Sequence, residues 1–232
     1  MKSTDRTIFR EGHLLPDAAP GIVLTEQPTG KHALGLDSKR DGWIYVPNGY
    51  KAAEPLPFVL LLHGAGGTAN HGIDLLQAYA DKHQLILLAP SSRKGTWDLL
   101  VDDEFGNDLF FINEALSQTF RSYSIDPKHL AIGGFSDGAS YALCVGLSNG
   151  GLFTHIIAFS PGFAYAPAPQ GRPNIYISHG VHDGILPIDR CSRKVVPRLR
   201  DQGYDVNYQE FDDEHVIPSN IRKEAIEWFL YS

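Results

Sequence analysis

The chain has 232 residues, 43% of them hydrophobic and 20% charged, with a formal net charge of -7. That composition belongs to a folded globular protein long enough to bury roughly 70–75% of its unfolded surface without disulfide or metal staples. The acidic balance argues against nucleic acid or anionic membranes as partners, which reward a basic face. No run of 18 apolar residues exists, so membrane insertion is not expected.

Residues 1–40 are polar with scattered Gly and Pro and no apolar core of signal-peptide length, which makes the cytoplasm the expected compartment. They read as an irregular entry or an edge hairpin, with "GIVLTEQP" as the strand candidate. From Asp41 onward strands and helices alternate. "WIYVP" is a strand stopped by Pro47. "PFVLLLHG" is a continuous apolar run, the signature of a strand covered on both faces. "GIDLLQAYADKH" has helical spacing, with Leu75, Leu76 and Tyr79 on one side. "LILLAP" is a second buried strand, and "DLFFINEALSQTF" an amphipathic helix with Asp108 as its N-cap.

"HLAIGGF" is a strand running into the helix "GASYALCVGLSNGG". "HIIAFSPG" and "NIYISHG" are strands, and "RCSRKVVPRLRDQG" is a helix bent or restarted at Pro197. "VNYQEF" is the last strand and "IPSNIRKEAIEWFLYS" the last helix. The pattern calls for one α/β domain over residues 1–232: a mostly parallel sheet with helices on both faces. Ligands bind such sheets at the carboxyl ends of the strands. Four strands end there in polar turns, "LLHGAGG", "IGGFSDG", "ISHGVHDG" and "QEFDDEHVIP".

"GFSDG" places Ser136 between Gly134 and Gly138, at a strand-to-helix turn too tight for larger neighbours. This is the G-x-S-x-G nucleophile elbow, which lifts a serine hydroxyl to the sheet edge. A serine needs a base, and the base needs an acid to orient it. The order nucleophile, acid, histidine is met by Ser136, Asp183 and His215, the histidine lying between the last strand and the last helix. His182 is the main competitor as base, while His155 and His179 read as structural. Small residues in "HGAGG" let backbone approach a substrate, and the amides of Ala65 and Asp137 are the expected oxyanion hole. Each such donor stabilises a transition state by roughly 2.7–4 kcal/mol. Gly64, Trp97 and Leu186 are the expected substrate-binding residues, with Leu99 and Leu100 extending the Trp97 wall. "HGAGG" lacks the Lys-Ser/Thr of a phosphate loop, and neither a C-x-x-C nor a helical His pair is present, so no metal or organic cofactor is expected. Cys144 and Cys191 read as free thiols, with a disulfide between them left open.

With those motifs in place the chain resembles the α/β-hydrolase superfamily. Within it the chain is most similar to the phospholipase/carboxylesterase group, which includes acyl-protein thioesterases and polyhydroxybutyrate-depolymerase-like esterases. The resemblance covers about residues 41–232. In that group an H-G-x-x-D-x-x-V-P pattern carries the acid, matched by His179 to Pro187, and proline follows the base closely, as Pro218 follows His215. Asp137 stands where the thioesterase branch usually has glutamine, and Asp212, Asp213 and Glu214 stand where small residues are usual. The carboxylates would repel anionic substrates. The link "FAYAPAPQGRP" is short, so a large cap domain is not expected. The resemblance implies a serine esterase acting on small-molecule esters of small to medium acyl groups, as a monomer or homodimer. Thioesterase or lysophospholipase-type activity, and a non-catalytic ligand-binding protein, are the alternatives.

Overall fold

The computed structural model describes residues 9–232. Among the described residues eight strands form one sheet in the order β1-β2-β4-β3-β5-β6-β7-β8. They are β1 (Gly30–Ala33), β2 (Gly42–Val46), β3 (Leu56–Leu62), β4 (Ile86–Pro90), β5 (Ile125–Phe135), β6 (His155–Phe159), β7 (Asn174–Gly180) and β8 (Val206–Phe211). β2 runs antiparallel to both β1 and β4, and β3 to β8 are mutually parallel. All six parallel strands therefore end at one edge. The helices are α1 (Ala69–Ile73), α2 (Gln77–His83), α3 (Asp98–Val101), α4 (Asn107–Ser122), α5 (Asp137–Ser148), α6 (Ser192–Asp201) and α7 (Ser219–Tyr231). This is the α/β-hydrolase fold. Among the described residues no helix is long and apolar enough to cross a membrane.

The apolar run of β3 shows why such strands lose their alternation. Phe58, Leu60 and Leu62 belong to the core that α4, α5 and α6 complete on one face of the sheet, while Val59 and Leu61 belong to the core that α1, α2 and α7 complete on the other. Both faces are covered, so every position from Phe58 to Leu62 is buried.

Four local expectations change. The edge strand is Gly30–Ala33, not residues 21–28; Ile22 and Leu24 are exposed, and the segment is held to the start of β5 through the Ser124 hydroxyl and the Ile125 amide. The helix expected over 72–83 is split into α1 and α2. α4 is capped by Gly106 rather than Asp108, whose carboxylate turns inward to accept the Arg93 and Asp98 amides. α6 continues through Pro197 without a restart. Cys144 and Cys191 are both free and buried.

His155 opens β6 with only 3% of its surface exposed. Its ring nitrogens meet the Thr154 hydroxyl at 2.7 Å and the Ser232 hydroxyl at 2.9 Å, and the Phe229 ring stands edge-on to it. Burial, and secondarily the nearby His129, pulls its pKa down to about 4. An unfolded histidine titrates near pH 6.5, so between pH 6.5 and 4 the unfolded chain takes up a proton that the folded chain refuses. This residue's contribution to stability is complete above about pH 6.5 and is lost as the pH falls. Thermal midpoints measured from pH 7 to pH 4.5 should therefore fall less steeply in a His155→Gln variant than in the parent. Parallel slopes would contradict the assignment.

Candidate active site

β5 passes into α5 through a single residue, Ser136. Its backbone has φ 57° and ψ -121°, a conformation that side-chain-bearing residues seldom adopt. Two glycines make the turn possible. A Cβ on Gly138 would lie 2.2 Å from the Leu62 carbonyl oxygen and 2.5 Å from that of His63, and a Cβ on Gly134 would lie 2.5 Å from the Gly138 backbone. The start of α5 thus rests directly on the end of β3. The Ser136 amide donates to the Phe159 carbonyl (2.9 Å), and its carbonyl accepts the amides of Ala139 and Ser140 (3.0 and 3.1 Å).

The turn after β3 lies alongside. A Cβ on Gly64 would stand 3.3 Å from the Ser136 Cβ, so this loop borders the serine. His63 is buried, accepts the Ser92 amide at Nε2 (3.0 Å), and meets the Gly64 carbonyl at Nδ1 (2.7 Å). The Ser92 donor requires Nε2 to be the bare nitrogen, which puts the proton on Nδ1. Burial holds the imidazole neutral, its pKa lowered to about 4 against the opposing Gly64 hydrogen bond. The Gly66 amide donates to Gly95 (2.7 Å) and the Gly67 amide to Gly64 (3.1 Å). Among the described residues the amides of Ala65 and Asp137 donate to no protein acceptor. The Asp137 carboxylate is held by the Thr96 hydroxyl at 2.7 Å.

Trp97 departs from expectation. It is fully buried, stacked on Tyr141 with ring centroids 5.2 Å apart, and its indole N–H donates to the His63 carbonyl (2.8 Å). It supports the "HGAGG" turn from beneath and presents no surface to a ligand. Leu99 is buried beside it. Leu186 is half-buried, with its side chain 3.5 Å from the Cβ position of Gly162 in the loop after β6.

The loops after β7 and β8 prolong their strands' ladder. The Val181 amide donates to the Phe211 carbonyl (2.9 Å) and the His182 amide to Asp213 (3.0 Å). Backbone contact is so close that a Cβ on Gly180 would lie 2.2 Å from the Glu214 carbonyl oxygen. This docking joins Asp183 to His215: Nδ1 of the imidazole is 2.5 Å from Oδ2 of the carboxylate. The other oxygen, Oδ1, accepts the amides of Ile185 (2.9 Å) and Leu186 (2.8 Å). Burial pushes the Asp183 pKa up, but the hydrogen bond from His215, the Leu186 amide, the His215 charge and the Ile185 amide outweigh it, leaving it below the ordinary carboxylate value. The His215 ring packs on Phe135, the residue before the serine, at 4.6 Å between centroids. Among the described residues the Ser136 hydroxyl and His215 make no hydrogen bond in this conformation. His182, the competing histidine, faces solvent and pairs with Asp212 (2.8 Å).

The model of the Esterase family matches residues 34–194. The chain belongs to the Esterase family. Among its relatives is feruloyl esterase C of Emericella nidulans, 23% identical over 172 residues, covering 71% of this chain. The chain spans 62% of that relative's length. Solved structures of similar fold include an S-formylglutathione hydrolase of Staphylococcus aureus, with a TM-score of 0.70 at 16% identity, covering 90% of this chain and all of the other. Another is esterase PE8, with a TM-score of 0.66 at 22% identity, covering 82% of this chain and 97% of the other.

This Esterase-family chain also carries supporting residues, some of which motif reading passes over. Thr96 gives no short-range signal. His179 is fully buried, with Nδ1 accepting the Ser192 hydroxyl (2.7 Å) and Nε2 facing the Leu186 carbonyl (2.8 Å) and Asp183 Oδ2 (3.2 Å). A carbonyl can only accept, so Nε2 carries the proton. A His179→Ala variant strands the Leu186 carbonyl and the buried Ser192 hydroxyl, at about 1–3 kcal/mol for each unsatisfied group. Urea unfolding should register a loss of about 2–5 kcal/mol. Stability within ~0.5 kcal/mol of the parent would show that the network is dispensable.

Proposed function

We propose that the protein is a serine-dependent carboxylic ester hydrolase. The observation that carries this reading is the Asp183–His215 hydrogen bond of 2.5 Å, formed at the edge where the strained Ser136 is raised beside the Gly64 turn. In the proposed reaction the Ser136 oxygen attacks the ester carbonyl carbon. His215 Nε2 takes the hydroxyl proton, and Asp183 holds Nδ1–H and steadies the imidazolium. The amides of Ala65 and Asp137 receive the negative oxygen of the tetrahedral intermediate. Collapse expels the alcohol, which His215 protonates, and leaves an acyl-enzyme. Water activated by His215 then attacks the acyl carbon, releasing the acid and returning the proton to Ser136. The missing Ser136–His215 hydrogen bond is compatible with this cycle, since catalytic hydrogen bonds are often long without substrate and tighten in the complex.

Small to medium acyl groups are the proposed substrates. Phe163, Ile185 and Val216 expose apolar surface close in sequence to Gly162, Asp183 and His215 respectively, and the Leu186 side chain reaches Gly162. That open apolar rim suits a short aliphatic or flat aromatic acyl group, feruloyl esters among them given the feruloyl esterase relatives. Asp212, Asp213 and Glu214 beside the base disfavour anionic acyl carriers.

A fluorophosphonate probe should label the parent and not a Ser136→Ala variant, and labelling of both would remove Ser136 from the nucleophile's role. Asp183→Asn should lower kcat on a p-nitrophenyl ester by roughly 10³–10⁴ with little change in fold, as expected for a mis-set imidazole tautomer. A loss below about tenfold would refute the proposed role of the acid. Across p-nitrophenyl acetate, butyrate, octanoate and palmitate, and an acyl-CoA thioester, kcat/KM should be highest at short to medium oxygen esters. Highest values on the thioester or palmitate would favour the thioesterase or lysophospholipase reading. Saturable binding of the esters without turnover would favour a non-catalytic binding protein.

A further inference from the structure

A cavity lies away from Ser136, at the far end of α5. The link between β6 and β7 follows that helix: the Gly162 amide donates to the Ser140 hydroxyl (2.9 Å) and the Tyr165 amide to Cys144 Sγ (3.3 Å). One step further along the same ridge, Leu147 lines a cavity of about 450 Å³ together with Leu199 of α6 and Tyr204. This is within the size range of small-molecule sites. At 1.5 Å per residue, Leu147 is about 16 Å along the helix from Ser136, so a small occupant of the cavity cannot also reach the serine.

The lining is amphipathic in a specific way. Tyr165, Ala166 and Pro169 of the link give it an accessible apolar floor, Tyr165 being 55% exposed, while Leu147, Leu199 and Tyr204 are almost wholly buried behind it. Arg172 and Arg198 stand at the cavity, and among the described residues no carboxylate lines it, in a chain whose net charge is -7. Both guanidiniums are already oriented by backbone: Arg198 donates to the Ala164 carbonyl, and Arg172 donates to the Gln202 carbonyl while lying 4.9 Å over the Tyr204 ring. Among the described residues neither is in a salt bridge, unlike Arg93, Arg121 and Arg193. A guanidinium has five N–H donors in a planar fork, so a single carbonyl contact leaves others free to grip an anion.

We propose that this cavity binds a small organic carboxylate with a flat apolar body, its carboxylate held by Arg172 and Arg198 and its body laid on Tyr165, Ala166 and Pro169. The fork geometry matches a carboxylate, and the apolar floor has nothing to offer a bare inorganic anion. This site does not depend on ester hydrolysis.

The test uses the full chain carrying Ser136→Ala, so that turnover plays no part, with trans-cinnamate, methyl cinnamate and inorganic phosphate as probes in equilibrium titrations. Cinnamate should bind with 1:1 saturation, weakening as salt rises. Phosphate and the uncharged methyl ester should bind at least tenfold more weakly. Arg172→Gln combined with Arg198→Gln should raise the cinnamate Kd at least tenfold. Ala166→Trp, which fills the cavity from the link and leaves both arginines in place, should do the same and covers the case in which the double variant fails to fold. Cinnamate affinity unchanged in a folded variant, phosphate binding as tightly as cinnamate, or no saturable cinnamate binding would each overturn the proposal.

Discussion

The backbone of Gly138 rests on the carbonyl oxygens of Leu62 and His63, closer than any side chain would allow. Most of the site depends on that contact. It brings the first turn of α5 onto the end of β3, which forces the chain to reverse within one residue and puts Ser136 at a positive φ. Such a conformation costs of order 1–3 kcal/mol and persists only where its surroundings over-determine it. Here they do: the amide of Ser136 is fixed to β6, its carbonyl to α5, and Gly64 closes the opposite side. The same contact sets the "HGAGG" turn against the serine, where a Cβ on Gly64 would stand 3.3 Å from the Ser136 Cβ.

The other half of the site is built by different means. Asp183 and His215 meet because the β7–β8 ladder continues past the strand ends and because Gly180 allows the two loops to touch. Once there, the carboxylate is saturated. Two backbone amides take Oδ1, and the imidazoles of His215 and His179 share Oδ2. A buried carboxylate accepting several hydrogen bonds stays ionised, which an acid that orients a histidine must do. Electrostatics at this edge follow from the ladder and the turn, with the sheet's parallel direction bringing both to the same side.

Much of this was legible in the sequence. The buried strands stood out as apolar runs because both sheet faces are covered. Ser136 stood out by its flanking glycines, and Asp183 and His215 by following it in the order acid then histidine, the histidine between the last strand and the last helix. What was not legible involved contacts across the chain. Trp97 reads as a loop residue free to line a pocket, yet its burial depends on His63 and Tyr141, which are 34 and 44 positions away. Asp108 has the form of an N-cap, but its carboxylate is claimed by the amides of Arg93 in the loop after β4 and of Asp98 at the start of α3. The break between α1 and α2 leaves Leu75 and Leu76 in the core, so the apolar spacing persists through an interruption that periodicity does not register. His179 was recognisable as a brace, but Ser192, its hydrogen-bond partner, was not, since nothing local marks a serine at the head of a helix as part of a distant site.

The central claim is that Ser136, His215 and the amides of Ala65 and Asp137 converge on one reacting centre. A crystal structure of the protein inactivated with a fluorophosphonate tests it most directly, because the tetrahedral phosphorus stands in for the reacting carbon. The account predicts phosphorus bonded to Ser136 Oγ, one phosphonyl oxygen about 3 Å from both amides, and His215 Nε2 within hydrogen-bond reach of an oxygen on phosphorus. An adduct on another residue, or a phosphonyl oxygen turned away from Ala65 and Asp137, would contradict it.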